Sequence, residues 1–374
     1  MLVLNSLIKL PKEDLMKNKK LEKLEAISGF CALYVMLFNL LPQKIFLLGI
    51  NVGFLFRFGS EAVIIFFILS GFVIKYSWEK STDKSFKNYF LKRFMRFYIP
   101  LLFIFLLAYF IKGYTEGSLA DPDWKTLLGN VFMLQDVISL KPNVVSAVYI
   151  GNGVLWLLSY EWLFSMLFFA LSEKTKPNKL NTWVNIFTIT AAVSYLIYPV
   201  IINRIVMYFA IWWIGARLVD VYLKGETYTF KSIETCSYVL ISILALLGLN
   251  YYINFGYTKV YDYPLVAYPF IALRHFVFAF LAMFGGIIWN KLNWFGFNNI
   301  FGVFKYLAPF SYVIYISHYY LVIEATYLDF INNKILEYGV YIIFMFLFSY
   351  LLEVVVFNKI KNLLVSENLK TSTC

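Results

Sequence analysis

Charged residues are scarce in this chain of 374 residues: Asp, Glu, Lys and Arg make up only 15% of it. A soluble domain usually carries about a quarter. Hydrophobic residues make up 61%, with 39 Phe and 29 Tyr. This composition excludes an ordinary soluble protein and predicts a protein that resides in a lipid bilayer.

Cysteine and histidine are also few. The three Cys (Cys31, Cys236, Cys374) and the two His (His275, His318) are scattered along the chain. Neither set has the spacing of a metal site or a disulfide framework. We therefore expect no bound metal.

Long apolar runs dominate the chain. Crossing about 30 Å of hydrocarbon takes roughly 20 mostly apolar residues. Ten windows come near this length, of which the third and the sixth are short: 24–41, 60–78, 97–112, 153–171, 183–200, 203–219, 235–253, 271–289, 306–326 and 338–357. They predict an all-α polytopic membrane protein with one transmembrane domain over 24–357, a basic N-terminal segment over 1–23 and a tail over 358–374.

The net charge of +11 follows from this topology. With ten spans both termini share a side, and 24 of the 33 Lys and Arg fall on that side. Cationic loops stay cytoplasmic, which places both termini in the cytoplasm. The segment over 1–23 lacks the long apolar run and cleavage site of a signal peptide. We expect the cell membrane as location and the bilayer, not nucleic acid, as partner.

A few polar residues stand inside the apolar windows, where a charge costs roughly 2.5–3.5 kcal/mol. Glu161, in WLLSYEWLF, either orients a catalytic partner or substrate hydroxyl, or is a structural carboxylate paired with an Arg of another helix. His318 is by itself more typical of a hydrogen-bonded packing residue than of a base. His275, at the outer start of its span, is expected to face the outer interface.

A basic stretch, KRFMRFYIP, leads into the third span from the cytoplasm. Arg93 and Arg96 share a helix face and can converge on one anion, and guanidinium groups suit phosphate oxygens. The alternative is headgroup anchoring, which these residues alone would favour. The Ser70-Gly71 pair in FFILSGF by itself indicates close helix packing.

Six stretches together resemble the acyltransferase-3 family of integral membrane O-acyltransferases. FFILSGF is similar to FFxLSGF, KRFMRFYIP to RRxxRxxP, WLLSYEWLF to WSLSxExxF, FSYVIYISH to SYxIYLxH and SYLLE (349–353) to SYxxxE. LEAISGFCALYVMLFN (24–39) aligns with LDGLRGIAALLVVLFH. In that family the first helix carries a basic residue and, eleven positions on, a catalytic His. Ser28 and Asn39 stand at these positions here.

The resemblance implies transfer of an acyl group, usually acetyl from acetyl-CoA, to hydroxyls of surface glycans or other small acceptors. It implies Arg93 and Arg96 as donor-binding residues, with Ser70 as a further candidate, and Glu161 as the acidic residue of the fourth span. Asn39 cannot supply the general base, a loss worth about 10²–10⁴ in rate.

Two hypotheses follow from this substitution. In the first the chain is an enzyme in which His318 or Glu161 replaces the missing base, since the first and ninth spans both run outward and bring Asn39 and His318 to comparable depth. In the second it is a non-catalytic relative: an acyl-donor conduit, carrier or assembly partner. We expect a glycan or lipid-linked sugar acceptor, with a homodimer or partner subunit as further options. A secondary transporter is less favoured, because paired half-helix breaks are not seen.

Overall fold

The computed structural model describes residues 14–42, 44–117, 121–254 and 266–363. Most of the predicted N-terminal segment and of the tail therefore lies outside the described residues. Twelve α-helices are found in these ranges: α1 (Asp14–Leu40), α2 (Gly59–Lys80), α3 (Phe86–Glu116), α4 (Trp124–Val131), α5 (Trp156–Lys174), α6 (Pro177–Ile197), α7 (Ile201–Leu223), α8 (Glu234–Asn254), α9 (Phe270–Lys291), α10 (Phe297–Ile300), α11 (Ser311–His318) and α12 (Lys334–Tyr350).

The predicted all-α polytopic class is confirmed. In the described part of the chain, eight helices are long and apolar enough to cross a membrane. They are Val52–Lys80, Phe86–Glu116, Gly153–Lys174, Pro177–Ile197, Ile201–Leu223, Lys231–Asn254, Phe270–Lys291 and Lys334–Leu363. Backbone amides have no water to bond inside lipid, which is why apolar runs fold as helices there.

Two of the ten predicted spans, the first and the ninth, are not among these eight helices. Helix α1 begins at Asp14, ten residues before the predicted window. The ninth predicted span is not one helix. Short 3₁₀ turns over Gly302–Tyr306 and Ala308–Phe310 precede α11, and a π-helical turn over Tyr319–Ile323 follows it.

One small antiparallel hairpin joins α1 to α2. Strand β1 (Phe46–Leu47) pairs with β2 (Ile50–Asn51), with Phe46 opposite Asn51. The Asn51 side chain accepts a hydrogen bond from the Gly53 amide and so begins the 3₁₀ turn Val52–Phe56. This turn leads the chain back toward α2.

The described residues form two compact units. The first draws on the described residues within Met1–Gly59, Phe90–Asp123 and Asn298–Cys374. Within it α1 packs on α11 and on the 3₁₀ turn Gly302–Tyr306, and α11 packs on α12. The buried face of α1, including Ala32 and Met36, is apolar apart from Ser28. These contacts hold one face of α1 against α11.

The second unit comprises Ser60–Tyr89 and Trp124–Phe297. Helix α7 is buried on almost every side, and the packed pairs in this unit include α5 with α7, α6 with α7 and α8 with α9. A helix that is hydrophobic all round is a core helix. Helix α7 therefore forms the centre of this unit.

Candidate active site

The first unit brings Asn39 and His318 together. Asn39, near the C-terminal end of α1, places its Nδ2 3.1 Å from Nε2 of His318, the last residue of α11. The same Nδ2 donates to the Val35 carbonyl at 3.0 Å. Since a carbonyl only accepts, this bond fixes which end of the amide faces the ring. The His318 ring is fully buried.

A second contact determines the tautomer of His318. Its Nδ1 lies 3.1 Å from the Ile314 carbonyl. Because that carbonyl can only accept, Nδ1 carries the proton and Nε2 keeps its lone pair. Nε2 therefore accepts from Asn39. The ring is oriented as a neutral proton acceptor, with an amide occupying its basic nitrogen.

Ser28, at the position of the family's basic residue, contacts a hydroxyl instead of a charge. It is buried on α1, with its Oγ 3.2 Å from Ser311 Oγ. Ser311 donates in turn to the Ala308 carbonyl at 3.0 Å. The middle of α1 is therefore linked to α11 through two small, buried hydroxyl groups.

The basic stretch on α3 also lies in the first unit. Arg96 forms an ion pair with Glu353, and its guanidinium lies 4.9 Å from the ring centroid of Tyr312. Tyr312 donates its hydroxyl to the Phe97 carbonyl at 3.4 Å. Arg93, one turn earlier on the helix, is partly exposed. Arg96 is thus fixed by contacts with side chains from two other segments.

The second unit holds Ser70 and Glu161. Ser70 on α2 donates its hydroxyl to a Glu161 carboxylate oxygen and accepts from Trp212 Nε1 at 3.3 Å. Glu161 is buried on α5. The carboxylate is therefore hydrogen-bonded to α2, and the sequence alone did not predict that partner.

Close packing around Ser70 depends on glycines. A Cβ on Gly71 would lie 3.0 Å from the Trp212 carbonyl carbon and closer still to its oxygen, and a Cβ on Gly215 would lie 2.7 Å from the Phe72 amide nitrogen. Helices α2 and α7 thus cross backbone to backbone. The structure contains the close packing that the Ser-Gly pair predicted.

A buried ionic cluster in the second unit was missed by the sequence analysis. Asp136 is fully buried between Lys141 (2.7 Å) and Arg204 (3.2 Å), and Tyr160 donates to it at 2.9 Å. Burial lowers the pKa of Lys141 to about 8, opposed by the Asp136 charge. The sequence signal was weak, since Lys141 and Arg204 counted only among the nine Lys and Arg predicted to lie on the side opposite the termini.

The expectation that His275 faces the outer interface was wrong. Its ring is fully buried, and Nδ1 lies 2.8 Å from the Tyr208 hydroxyl. The Arg274 neighbour pairs with Glu61 on α2 at 2.8 Å. A polar pair at a predicted span boundary gave no information about which face of the helix was buried.

No set of three or more His, Cys, Asp or Glu close enough to hold a metal occurs in the described ranges. Of the candidate residues, Asn39, His318, Arg93 and Arg96 belong to the first unit, and Ser70 and Glu161 to the second. The donor-binding and catalytic roles of these six residues remain predictions.

Comparison with known proteins identifies relatives. The chain is 28% identical over 158 residues to "Acyltransferase MdmB" of Streptomyces mycarofaciens, covering 40% of this chain and 38% of the relative. It is 26% identical over 225 residues to "O-acetyl transferase" of Shigella phage Sf6, covering 57% of this chain and 64% of the relative. The matches thus span less than two thirds of each relative. No solved structure matches the chain significantly.

The family comparison extends over most of the chain. The acyltransferase-3 model, described as an acyltransferase domain, matches residues 22–354. That range includes all six candidate residues and the Arg96–Glu353 pair. The chain belongs to the acyltransferase-3 family of membrane proteins.

Proposed function

We propose that this protein is a membrane-bound acyltransferase that moves an acetyl or related acyl group from acetyl-CoA to a hydroxyl of a cell-surface glycan or lipid-linked sugar. Membership of the family supports acyl transfer, and the "O-acetyl transferase" relative supports the hydroxyl acceptor. The observation that carries the proposal is the Asn39–His318 pair, because it supplies a neutral imidazole nitrogen at the position of the missing base.

His318 is the general base in this proposal. Its Nε2 takes the proton of the acceptor hydroxyl as that oxygen forms a bond to the thioester carbonyl carbon. The carbon–sulfur bond then breaks, and the coenzyme A thiolate leaves and takes the proton back from Nε2. The ring returns to its neutral form, so that no further reactant is needed.

Asn39 then controls the access of the acceptor hydroxyl to His318 Nε2. Its amide occupies Nε2 in the structure, and the acceptor hydroxyl has to replace that hydrogen bond before it can lose a proton. The exchange replaces one hydrogen bond with another, which keeps its free-energy cost small. This arrangement favours an acceptor hydroxyl that arrives from the outer end of α1.

We assign the base to His318 rather than to Glu161 because His318 Nε2 contacts Asn39, the residue at the position of the family's catalytic His. The Glu161 carboxylate already accepts from Ser70, and both groups are oriented by that bond. Glu161 fits better as a group that orients a partner side chain within its own unit.

Arg93 and Arg96 are proposed to bind the phosphates of the donor. They lie in the first helical turns of α3, on the side that the distribution of Lys and Arg assigns to the cytoplasm. Planar guanidinium groups bind phosphate oxygens in pairs. Binding the donor there would fix the thioester before the acceptor arrives.

A non-catalytic relative is the second candidate. The amide on Nε2 and the replacement of the usual first-helix residues by Ser28 and Asn39 favour it. Such a protein would bind the donor and act as a conduit, carrier or assembly partner.

One assay separates the enzyme from the non-catalytic relative. It measures the release of free coenzyme A when the purified protein is given acetyl-CoA and a hydroxyl acceptor. Turnover above the uncatalysed rate supports the enzyme. Binding of coenzyme A without turnover in the parent, together with turnover in Asn39→His, supports the non-catalytic relative.

A further inference from the structure

Glu353 is a buried carboxylate to which the proposed mechanism gives no part. It is fully buried in the first unit, in the π-helical turn Leu351–Val356 that continues α12. Burying a carboxylate is costly unless a cation offsets it. Turns of this kind are frequent at functional sites, since they re-aim a side chain. The position of Glu353 therefore needs an explanation.

The offsetting cation is Arg96. It is the sole ion-pair partner of Glu353 that the described ranges contain. The Arg96 side chain keeps 19% of its surface exposed, whereas that of Glu353 keeps none. The Arg96 side chain is therefore accessible in part, whereas the Glu353 carboxylate is not. Any effect of Glu353 on a ligand has to pass through Arg96.

Two contacts restrict the guanidinium at once. Glu353 holds it from the extension of α12, and the Tyr312 ring on α11 lies 4.9 Å away. A guanidinium has five donors in one plane, so that an edge bonded to a carboxylate leaves others for a second anion. The ion pair thus orients Arg96 and leaves other N–H donors of its guanidinium available to a ligand.

We infer that Glu353 is a positioning residue of the donor site, which orients Arg96 toward the phosphates of the acyl donor. The inference depends on the proposed donor-binding role of Arg96. It does not depend on catalysis, because donor binding can be measured with coenzyme A in a protein that turns nothing over.

The test is the dissociation constant of coenzyme A, measured by calorimetry on the full-length protein. Glu353→Gln removes the charge that orients Arg96 and is expected to weaken binding about tenfold, the value of one hydrogen bond to a charged group. Glu353→Asp keeps the charge with a shorter side chain and is expected to restore part of the affinity. It also provides the measurement if Glu353→Gln does not fold.

Two further variants separate positioning from a merely structural role. In an Arg96→Gln background, Glu353→Gln should cause no further loss of affinity, because its effect passes through Arg96. Glu337→Gln is the matched control. Glu337 is another buried carboxylate of the first unit, on α12, and it pairs with Lys334 at 2.9 Å. This control should bind coenzyme A like the parent.

Three results would overturn the inference. Glu353→Gln could bind coenzyme A as well as the parent or more tightly, which would make Glu353 only a counter-charge. Its effect could persist undiminished without Arg96. Coenzyme A could fail to bind the parent, which would remove the donor site altogether. Binding without turnover would contradict the enzyme but leave the inference intact.

Discussion

The crossing of α2 and α7 gives a prediction whose size follows from backbone geometry. Gly71→Ala adds a Cβ 3.0 Å from the Trp212 carbonyl carbon, 3.2 Å from Trp212 Cδ2 and closer still to the carbonyl oxygen. Real Cβ contacts are rarely below 3.4 Å. The main obstacle is backbone, which cannot rotate away as a side chain would.

The two helices must therefore separate along their contact. Overpacking of this kind costs about 1–3 kcal/mol, and occasionally more. The intrinsic gain from replacing a helical glycine by alanine is at most about 1 kcal/mol. Contacts this close to backbone atoms put the cost at the upper end of that range, so we expect a net loss of about 2 kcal/mol for Gly71→Ala. Gly215→Ala, whose Cβ would lie 2.7 Å from the Phe72 amide nitrogen, should lose a similar amount.

A thermal unfolding assay with a thiol-reactive dye measures this loss. Cys31 and Cys236 are buried and become reactive on unfolding, and a Cys374→Ser background removes the third thiol. Gly285→Ala is the matched control, because nothing lies within 4 Å of the Cβ it would add on α9. Equal melting temperatures for Gly71→Ala and Gly285→Ala would refute the close crossing.

Three other predictions concern buried polar groups. Asp136→Asn leaves Lys141 and Arg204 buried without their carboxylate and should destabilise the protein by about 3–5 kcal/mol in the same assay; a melting temperature like that of the parent would contradict the cluster. Because the folded-state pKa of Lys141, about 8, lies below its ordinary 10.5, the folded state binds fewer protons between these pH values. The contribution of Lys141 to the free energy of unfolding should therefore rise as the pH rises from about 8 to 10.5, and Lys141→Met should remove this rise. Ser28→Arg should lower the melting temperature, since the position is buried, whereas Asn39→His at a partly exposed position should be tolerated.

Much of the fold was predictable because hydrophobic length is a local property. The windows over 60–78 and 271–289 lie within α2 and α9 almost residue for residue. The window over 306–326 was apolar enough but is broken into short helices, because hydropathy does not record helix interruptions. Pro309 inside this window was the one signal of a break.

The candidate site was predictable only in part. The direction of the first and ninth spans predicted that Asn39 and His318 could lie at one depth, and the structure places them 3.1 Å apart. The partner of Arg96 is 257 positions later in the chain, and nothing local indicates that Glu353 turns toward it. Such pairings depend on how helices pack, which periodicity and spacing do not determine.

The central claim is that His318 accepts the proton of the acceptor hydroxyl. The direct measurement is the rate of coenzyme A release by His318→Gln, beside His275→Gln as the matched substitution at the other buried histidine. The account predicts a loss of about 10²–10⁴ for His318→Gln and a rate within a few-fold of the parent for His275→Gln. Full activity in His318→Gln would contradict it.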